Sequence, residues 1–173
     1  MEKRLRVPFD REELKSLKAG DNVLLSGELY VARDAAHGRI AEAYEKGEEL
    51  PIRIEGETVY YMGPTPARPG RIIGSAGPTT AGRMDKYTSM LLDKGLCAMI
   101  GKGKRSREVT EAITRNGAVY FAAIGGAGAL LSKCIKSSEI VAYEDLGPEA
   151  ILRITIEDFP AVVITSSTGE SLY

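Results

Sequence analysis

From residue 83 onward the chain alternates in a way that restricts its fold sharply: an apolar helical pattern over 83–94, a β-rich run Leu96–Ile100, a second helical pattern Ser106–Arg115 closed by Asn116-Gly117, and a run Ala118–Ile124. Strands that alternate with helices of about ten residues build βαβ units, whose parallel strands carry helices on their faces. A glycine turn at 125–128 then leads into a further short helix. Upstream, residues 4–9 read as a first strand. Asp10 and Glu13 form a capping box for a helix over Asp10–Lys18, which Gly20 stops. Val23–Arg33 is a strand, Ala35–Lys46 a helix ending at Gly47, and Thr58–Met62 a strand closing at Gly63-Pro64. Pro64–Gly70 is a turn or exposed loop and Arg71–Ser75 a short strand. The tail Glu139–Leu146, Ala150–Ile156 and Ala161–Thr165 reads as three further strands. The expected architecture is one mixed α/β domain over residues 1–173, with a substantial sheet or half-barrel and flanking helices.

Composition narrows the function classes. A net charge of −1 over 173 residues argues against a general nucleic-acid binder, which needs a basic excess to displace condensed counterions. Any anion it binds must be small and met locally. Cys97 and Cys134 lie far apart, and neither forms a metal-ligand pattern with His37, the one histidine, so this chain alone is expected to hold no zinc or iron–sulfur cluster. Both thiols read as buried and structural, which suits a reducing compartment. The amino terminus has no apolar stretch long enough for export, and no segment reaches membrane-spanning length. The expectation is a cytoplasmic protein.

Within this frame, four loops gather chemistry. In Gly77-Pro78-Thr79-Thr80-Ala81-Gly82-Arg83-Met84-Asp85 a loop feeds a helix start. Thr79 or Thr80 can cap that helix. Arg83, however, places positive charge where unpaired N–H groups already carry it, and a nearby anion would resolve the conflict. Asp85 is expected to pair locally with Arg83. In Val31-Ala32-Arg33-Asp34-Ala35-Ala36-His37, Arg33 leaves a strand and Asp34 can cap the next helix; taken alone, Arg33 reads as a surface arginine. His37 is expected to pack at the head of that helix. Gly101-Lys102-Gly103 sets a lysine between bare backbone at the C-terminal end of a strand, where open α/β sheets gather ligands. Read as a plain basic turn, the same loop leaves Lys104 and Arg105 facing solvent. The glycine turn Gly125-Gly126-Ala127-Gly128 lacks the spacing of a dinucleotide fingerprint. Arg33, Arg83 and Lys102 could clamp a compact dianion, since arginine forks match carboxylates and lysine adds a point charge.

These motifs, in this order and over nearly the whole chain, resemble the C-terminal domain, or β subunit, of class I iron–sulfur fumarate hydratases and the related L(+)-tartrate dehydratases. Ala32-Arg33-Asp34-Ala35-Ala36-His37, Gly77–Asp85, Gly101-Lys102-Gly103 and the Gly125-Gly126 turn carry the resemblance. It implies a swivelling β/β/α domain and a [4Fe–4S] cluster held by three cysteines of a cluster-bearing α subunit, not by this chain. The open iron of that cluster would act as a Lewis acid on the substrate. It further implies that Arg33, Arg83 and Lys102 bind substrate carboxylates, and that Thr79 takes part in proton transfer at C3, its hydroxyl activated by neighbouring cations. The function so implied is reversible hydration of fumarate to L-malate by a hetero-oligomer, with no nucleic-acid or membrane partner. Two alternatives stay open: an L(+)-tartrate dehydratase β subunit, against which Ala81-Gly82 keeps its loop small, and a non-catalytic small-anion-binding or interaction module.

Overall fold

The computed structural model describes residues 2–63, 69–124 and 128–173. Among them are strands β1 (Lys3–Val7), β2 (Asn22–Val31), β3 (Thr58–Tyr60), β4 (Ala98–Gly101), β5 (Val119–Ala123), β6 (Ile135–Ala142) and β7 (Ile151–Thr165). The helices are α1 (Arg11–Lys15), α2 (Asp34–Glu45), α3 (Asp85–Asp93), α4 (Arg107–Asn116) and α5 (Gly128–Ser132). The strands form one sheet of seven in the order β1-β2-β3-β4-β5-β7-β6, and β2 also pairs with β7, so β2, β3, β4, β5 and β7 close on themselves as a barrel of five. From β1 to β5 every neighbouring pair is parallel, as the βαβ alternation requires. β7 returns antiparallel against both β2 and β5 and supplies the closure.

Alternation along these strands creates two cores. Leu25, Leu29, Val31, Tyr60, Ala98, Ile100, Val119, Phe121, Ile154, Phe159 and Val163 point into the barrel. Their neighbours Tyr30, Val59, Tyr61, Met99 and Tyr120 face outward and pack under Ala36 and Ile40 of α2, Leu91 and Leu92 of α3, and Val109, Ala112 and Ile113 of α4. Strands buried on both faces read as unbroken apolar runs, which is why β3, β4 and β5 show little alternation in sequence. Each large aliphatic side chain so buried contributes roughly 1.5–3 kcal/mol, which places most of the stabilisation along this barrel and helix contact.

Four elements differ from the sequence expectation. Ala150–Ile156 and Ala161–Thr165 are halves of one strand, β7. Both halves register on β2, and the irregularity between them, where Asp158 adopts φ 49°, sits opposite a register shift at Leu25/Gly27. A bulge absorbs what looked like a turn. The strand expected over Glu139–Leu146 stops at Ala142, because Tyr143 takes a left-handed conformation (φ 55°) and Glu144–Glu149 winds as a 3₁₀ turn. That turn has a use: the Glu149 carboxylate accepts the free amide of Ala35 at the start of α2 (3.2 Å). Arg71–Ser75 is not a strand. Its continuation is pinned by the amide of Ala76 donating to Gly128 O (3.0 Å) and the Tyr60 hydroxyl donating to Ala76 O (2.6 Å). The helix expected over 83–94 divides into a 3₁₀ turn, Ala81–Met84, and α3. Of the two thiols, Cys97 is fully buried and Cys134 only half-buried, so the second is not the core residue expected. Pro64–Arg68 and the Gly125-Gly126 turn lie outside the described residues.

Candidate active site

The C-terminal ends of β2, β3 and β4 deliver three loops to one side of the barrel. β2 runs out at Val31, and two residues later Arg33 occupies the position before α2 in extended backbone. Its guanidinium turns back toward the end of β3: a Cβ built on Gly63 would lie 3.1 Å from Arg33 Nη1 and 3.4 Å from Thr79 Oγ1. Any side chain at residue 63 would fill the space that these two groups share. Arg33 Nε is buried and makes no hydrogen bond in the structure. A charged donor withdrawn from water without an acceptor costs more than an ordinary hydrogen bond returns, so Arg33 carries an unmet donor beside this shared space.

Thr79 is fixed by its backbone. Its amide donates to Tyr61 O (2.6 Å), and its carbonyl accepts from the amide of Lys102 (3.3 Å). Ala81 N in turn donates to Lys102 O (2.8 Å), so Thr80 and Lys102 pair like two strands over one step. The lysine loop and the threonine loop are thereby joined directly after β4 ends. Gly101 makes this approach possible, since a Cβ there would stand 2.8 Å from Tyr61 Cδ2 and 3.4 Å from Thr79 O. Thr80 occupies the cap position of the 3₁₀ turn, but neither threonine caps through its side chain. The Lys102 side chain is exposed.

Arg83 resolves its conflict with the helix start inside the chain: its Nη2 donates to Asp34 Oδ2. Both side chains remain open to solvent, at 53% and 37%, so the pair is worth at most about 1 kcal/mol. An incoming carboxylate can therefore compete for Arg83. The other oxygen of Asp34 is buried without a partner. Asp34 was expected to cap α2; it is the first residue of that helix and serves Arg83 instead. Asp85, expected to pair with Arg83, binds elsewhere.

Its partner is Arg105. Arg105 was read as solvent-facing and is 4% exposed. Its Nε donates to Asp85 Oδ1 (2.7 Å), Nη1 to the Tyr61 hydroxyl (3.2 Å) and Nη2 to Thr88 Oγ1 (2.9 Å). The guanidinium also lies over the rings of Tyr61 and Tyr120, 5.2 Å and 5.0 Å from their centroids. Asp85 Oδ2 accepts the amide of Ser106 (2.7 Å), whose own hydroxyl caps α4 by accepting from Val109 N (3.2 Å). Nothing local in Lys104-Arg105-Ser106 marks this burial, because all three partner side chains of Arg105 come from other segments.

His37 packs at the head of α2 as expected. Its Nδ1 bonds Arg33 O (2.8 Å), and because a carbonyl can only accept, Nδ1 carries the proton. The ring lies edge-on to Tyr61 and stacks on Tyr87. Desolvation lowers its pKa to about 4, with Arg105 nearby acting in the same direction, while the bond to Arg33 and the charge of Asp34 oppose it. At neutral pH His37 is an uncharged strut under Arg33.

The structure thus brings Arg33 and Thr79 together beside Gly63, joins Thr79 and Thr80 to Lys102 through backbone, and ties Arg83 to Asp34, the neighbour of Arg33. Among the described residues no three His, Cys, Asp or Glu side chains gather as a metal site, and no helix is long and apolar enough to cross a membrane.

The family model for the fumarase C-terminus matches residues 2–173. The chain is 40% identical over 173 residues to fumarate hydratase 2 of Leishmania major, covering 98% of this chain and 30% of that protein. It is 40% identical over 163 residues to the anaerobic class I fumarate hydratase of Escherichia coli (strain K12), covering 93% and 30%. Against a putative L(+)-tartrate dehydratase subunit beta from Methanocaldococcus jannaschii it is 34% identical over 169 residues, covering 94% of this chain and 87% of that one. The chain therefore spans about 30% of the length of the fumarate hydratases it matches. The barrel, the loops at its edge and these matches lead to one assignment: the chain belongs to the fumarase C-terminus family.

Proposed function

We propose that this chain is the β subunit of a hydro-lyase that adds water reversibly to fumarate to give L-malate, with a site shared with a cluster-bearing α subunit. The observation that carries the reading is the approach of Arg33 Nη1 and the Thr79 hydroxyl to one point beside Gly63, on a guanidinium whose buried Nε lacks a partner, with Arg83 weakly held on the neighbouring Asp34. Arg33 and Arg83 each present a planar fork suited to a carboxylate, and Lys102 adds an ammonium on the adjoining loop. A substrate with a carboxylate at each end can engage all three while its central carbons lie near Thr79. Thr79 Oγ1 then holds or moves the proton at C3, with neighbouring cations favouring its deprotonated form. Similarity to a relative named a subunit beta, over 87% of its length, supports the subunit reading. The [4Fe–4S] cluster is assigned to the partner's cysteines. The described residues of this chain offer no ligand set for it. Two free thiols fit work in a reducing, cytoplasmic compartment.

Fumarate is favoured over L(+)-tartrate because the Leishmania major and Escherichia coli fumarate hydratases are 40% identical to the chain against 34% for the tartrate dehydratase subunit, and because Ala81 and Gly82 leave little bulk to shape a site around a second hydroxyl. The test is anaerobic mixing of this chain with its cluster-bearing partner. Fumarate hydration should appear only in the mixture and exceed tartrate dehydration. Turnover by the chain alone, or tartrate as the better substrate, would replace this reading. Dicarboxylate binding by the lone chain with no gain of activity on mixing would leave an anion-binding module.

A further inference from the structure

We infer that Arg105 is a positioning residue: it latches the lysine loop to the threonine and arginine loop and so sets where Lys102 stands relative to Thr79 and Arg83. The role in catalysis rests on the hydratase reading; the latch itself rests on geometry. Lys102 and Arg105 share one short loop between β4 and α4, while Thr79 and Arg83 lie on the loop leading into α3. Two backbone bonds join these loops at Lys102, yet the side chains of Thr79, Arg83 and Lys102 make no bond to one another that would hold the spacing of the three. Arg105 supplies that restraint. Through Asp85 it grips the first residue of α3, through Thr88 the first turn of that helix, and through the Tyr61 hydroxyl the residue whose carbonyl receives the Thr79 amide. The same loop is held a second time by the Tyr120 hydroxyl donating to Gly103 O (2.8 Å), with the Arg105 guanidinium over the Tyr120 ring.

Burial separates this arginine from Arg83. The Arg105 and Asp85 side chains are 1% and 16% exposed, against 53% and 37% for Arg83 and Asp34. Each nitrogen of Arg105 has a side-chain partner and the side chain is 1% exposed, which argues against a binding role and leaves a mechanical one. Lysine cannot replace it, because one ammonium cannot reach a carboxylate, a phenol and a hydroxyl lying in different directions from a planar fork.

Arg105→Lys is the test, with Asp85→Asn as a milder second variant that loosens the same latch while keeping side-chain shape. Amide hydrogen exchange on the full chain reads the latch. Exchange at Lys102 and Ala81 should accelerate roughly tenfold or more while Phe121 in the barrel stays protected, as expected for a local opening. Uniform acceleration, or none in either variant, would overturn the latch. Kinetics of fumarate hydration in the mixture with the cluster-bearing partner read the positioning. Arg105→Lys should raise KM about tenfold in the wild-type background but less than about twofold in a Lys102→Ala background, since residues acting through one another are not additive. Additive losses would overturn the positioning role even if exchange is local. Absence of hydration by the wild-type mixture would instead overturn the hydratase reading, with exchange still deciding the latch.

Discussion

Arg83 meets Asp34 where both side chains are partly solvated, and the Asp34 carboxylate accepts from its guanidinium. Because an exposed pair gives at most about 1 kcal/mol, exchange of one carboxylate for another costs little. What Arg83 contributes beyond charge is its fork. Arg83→Lys should therefore lower kcat/KM of the assembled enzyme by roughly ten- to a hundredfold, about 1–3 kcal/mol, while thermal melting is unchanged; an unaltered kcat/KM would remove Arg83 from the site. His37 gives a prediction in pH. Its pKa falls from 6.5 to about 4 on folding, so between those values the unfolded chain binds the extra proton and stability must fall as pH falls. Near pH 5 the loss attributable to this group is about 2 kcal/mol relative to pH 7.5. Denaturant titrations of wild type and His37→Gln at both pH values should show the wild type losing more by about that amount. Parallel losses would mean that His37 is solvated or charged in the folded state.

At the scale of elements, the site is a property of how strands end. β4 stops at Gly101, and the absence of a side chain there lets the Thr79 loop lie against it. Gly101→Ala would push a methyl group against the Tyr61 ring and Ala81, both buried, and should cost about 1–3 kcal/mol by overpacking; a melting temperature equal to wild type would show that the loops can part freely. The β4-α4-β5 unit was legible because helix and strand periodicities there are local and reinforced by Ser106 at one end of α4 and Gly117, φ 65°, at the other. Arg33, Thr79, Arg83 and Lys102 were legible as loop residues beside element ends. Asp34 bonding Arg83, and Arg105 buried on Asp85, Thr88 and Tyr61, were not. These contacts span separations of 17 to 49 residues, and no local pattern records which charge meets which. For the same reason the two halves of β7 read as separate strands: their unity comes from sharing β2 as a partner.

Over the whole molecule, barrel closure converts an ordinary parallel run into a rigid platform. β7 bonds β2 along most of its length and β5 near its end, so β2, β3 and β4, which bear the three site loops, have neighbours on both sides. The exposed groups lie beyond those strand ends. Cations that remain solvated, as Arg83 and Lys102 do, are weak as a binding site by themselves, because water screens each of their pairs. A second subunit that closes over Arg33, Arg83 and Lys102 would remove that water and strengthen every contact. The most direct measurement is a crystal structure of this chain with its cluster-bearing partner and bound L-malate, prepared anaerobically. One carboxylate should lie on Arg33 and Arg83 near Gly63, with Lys102 within reach of the other and Thr79 Oγ1 facing C3. Malate bound away from the Gly63 cleft, with Arg83 still on Asp34 and Arg33 Nε still unpartnered, would contradict this placement.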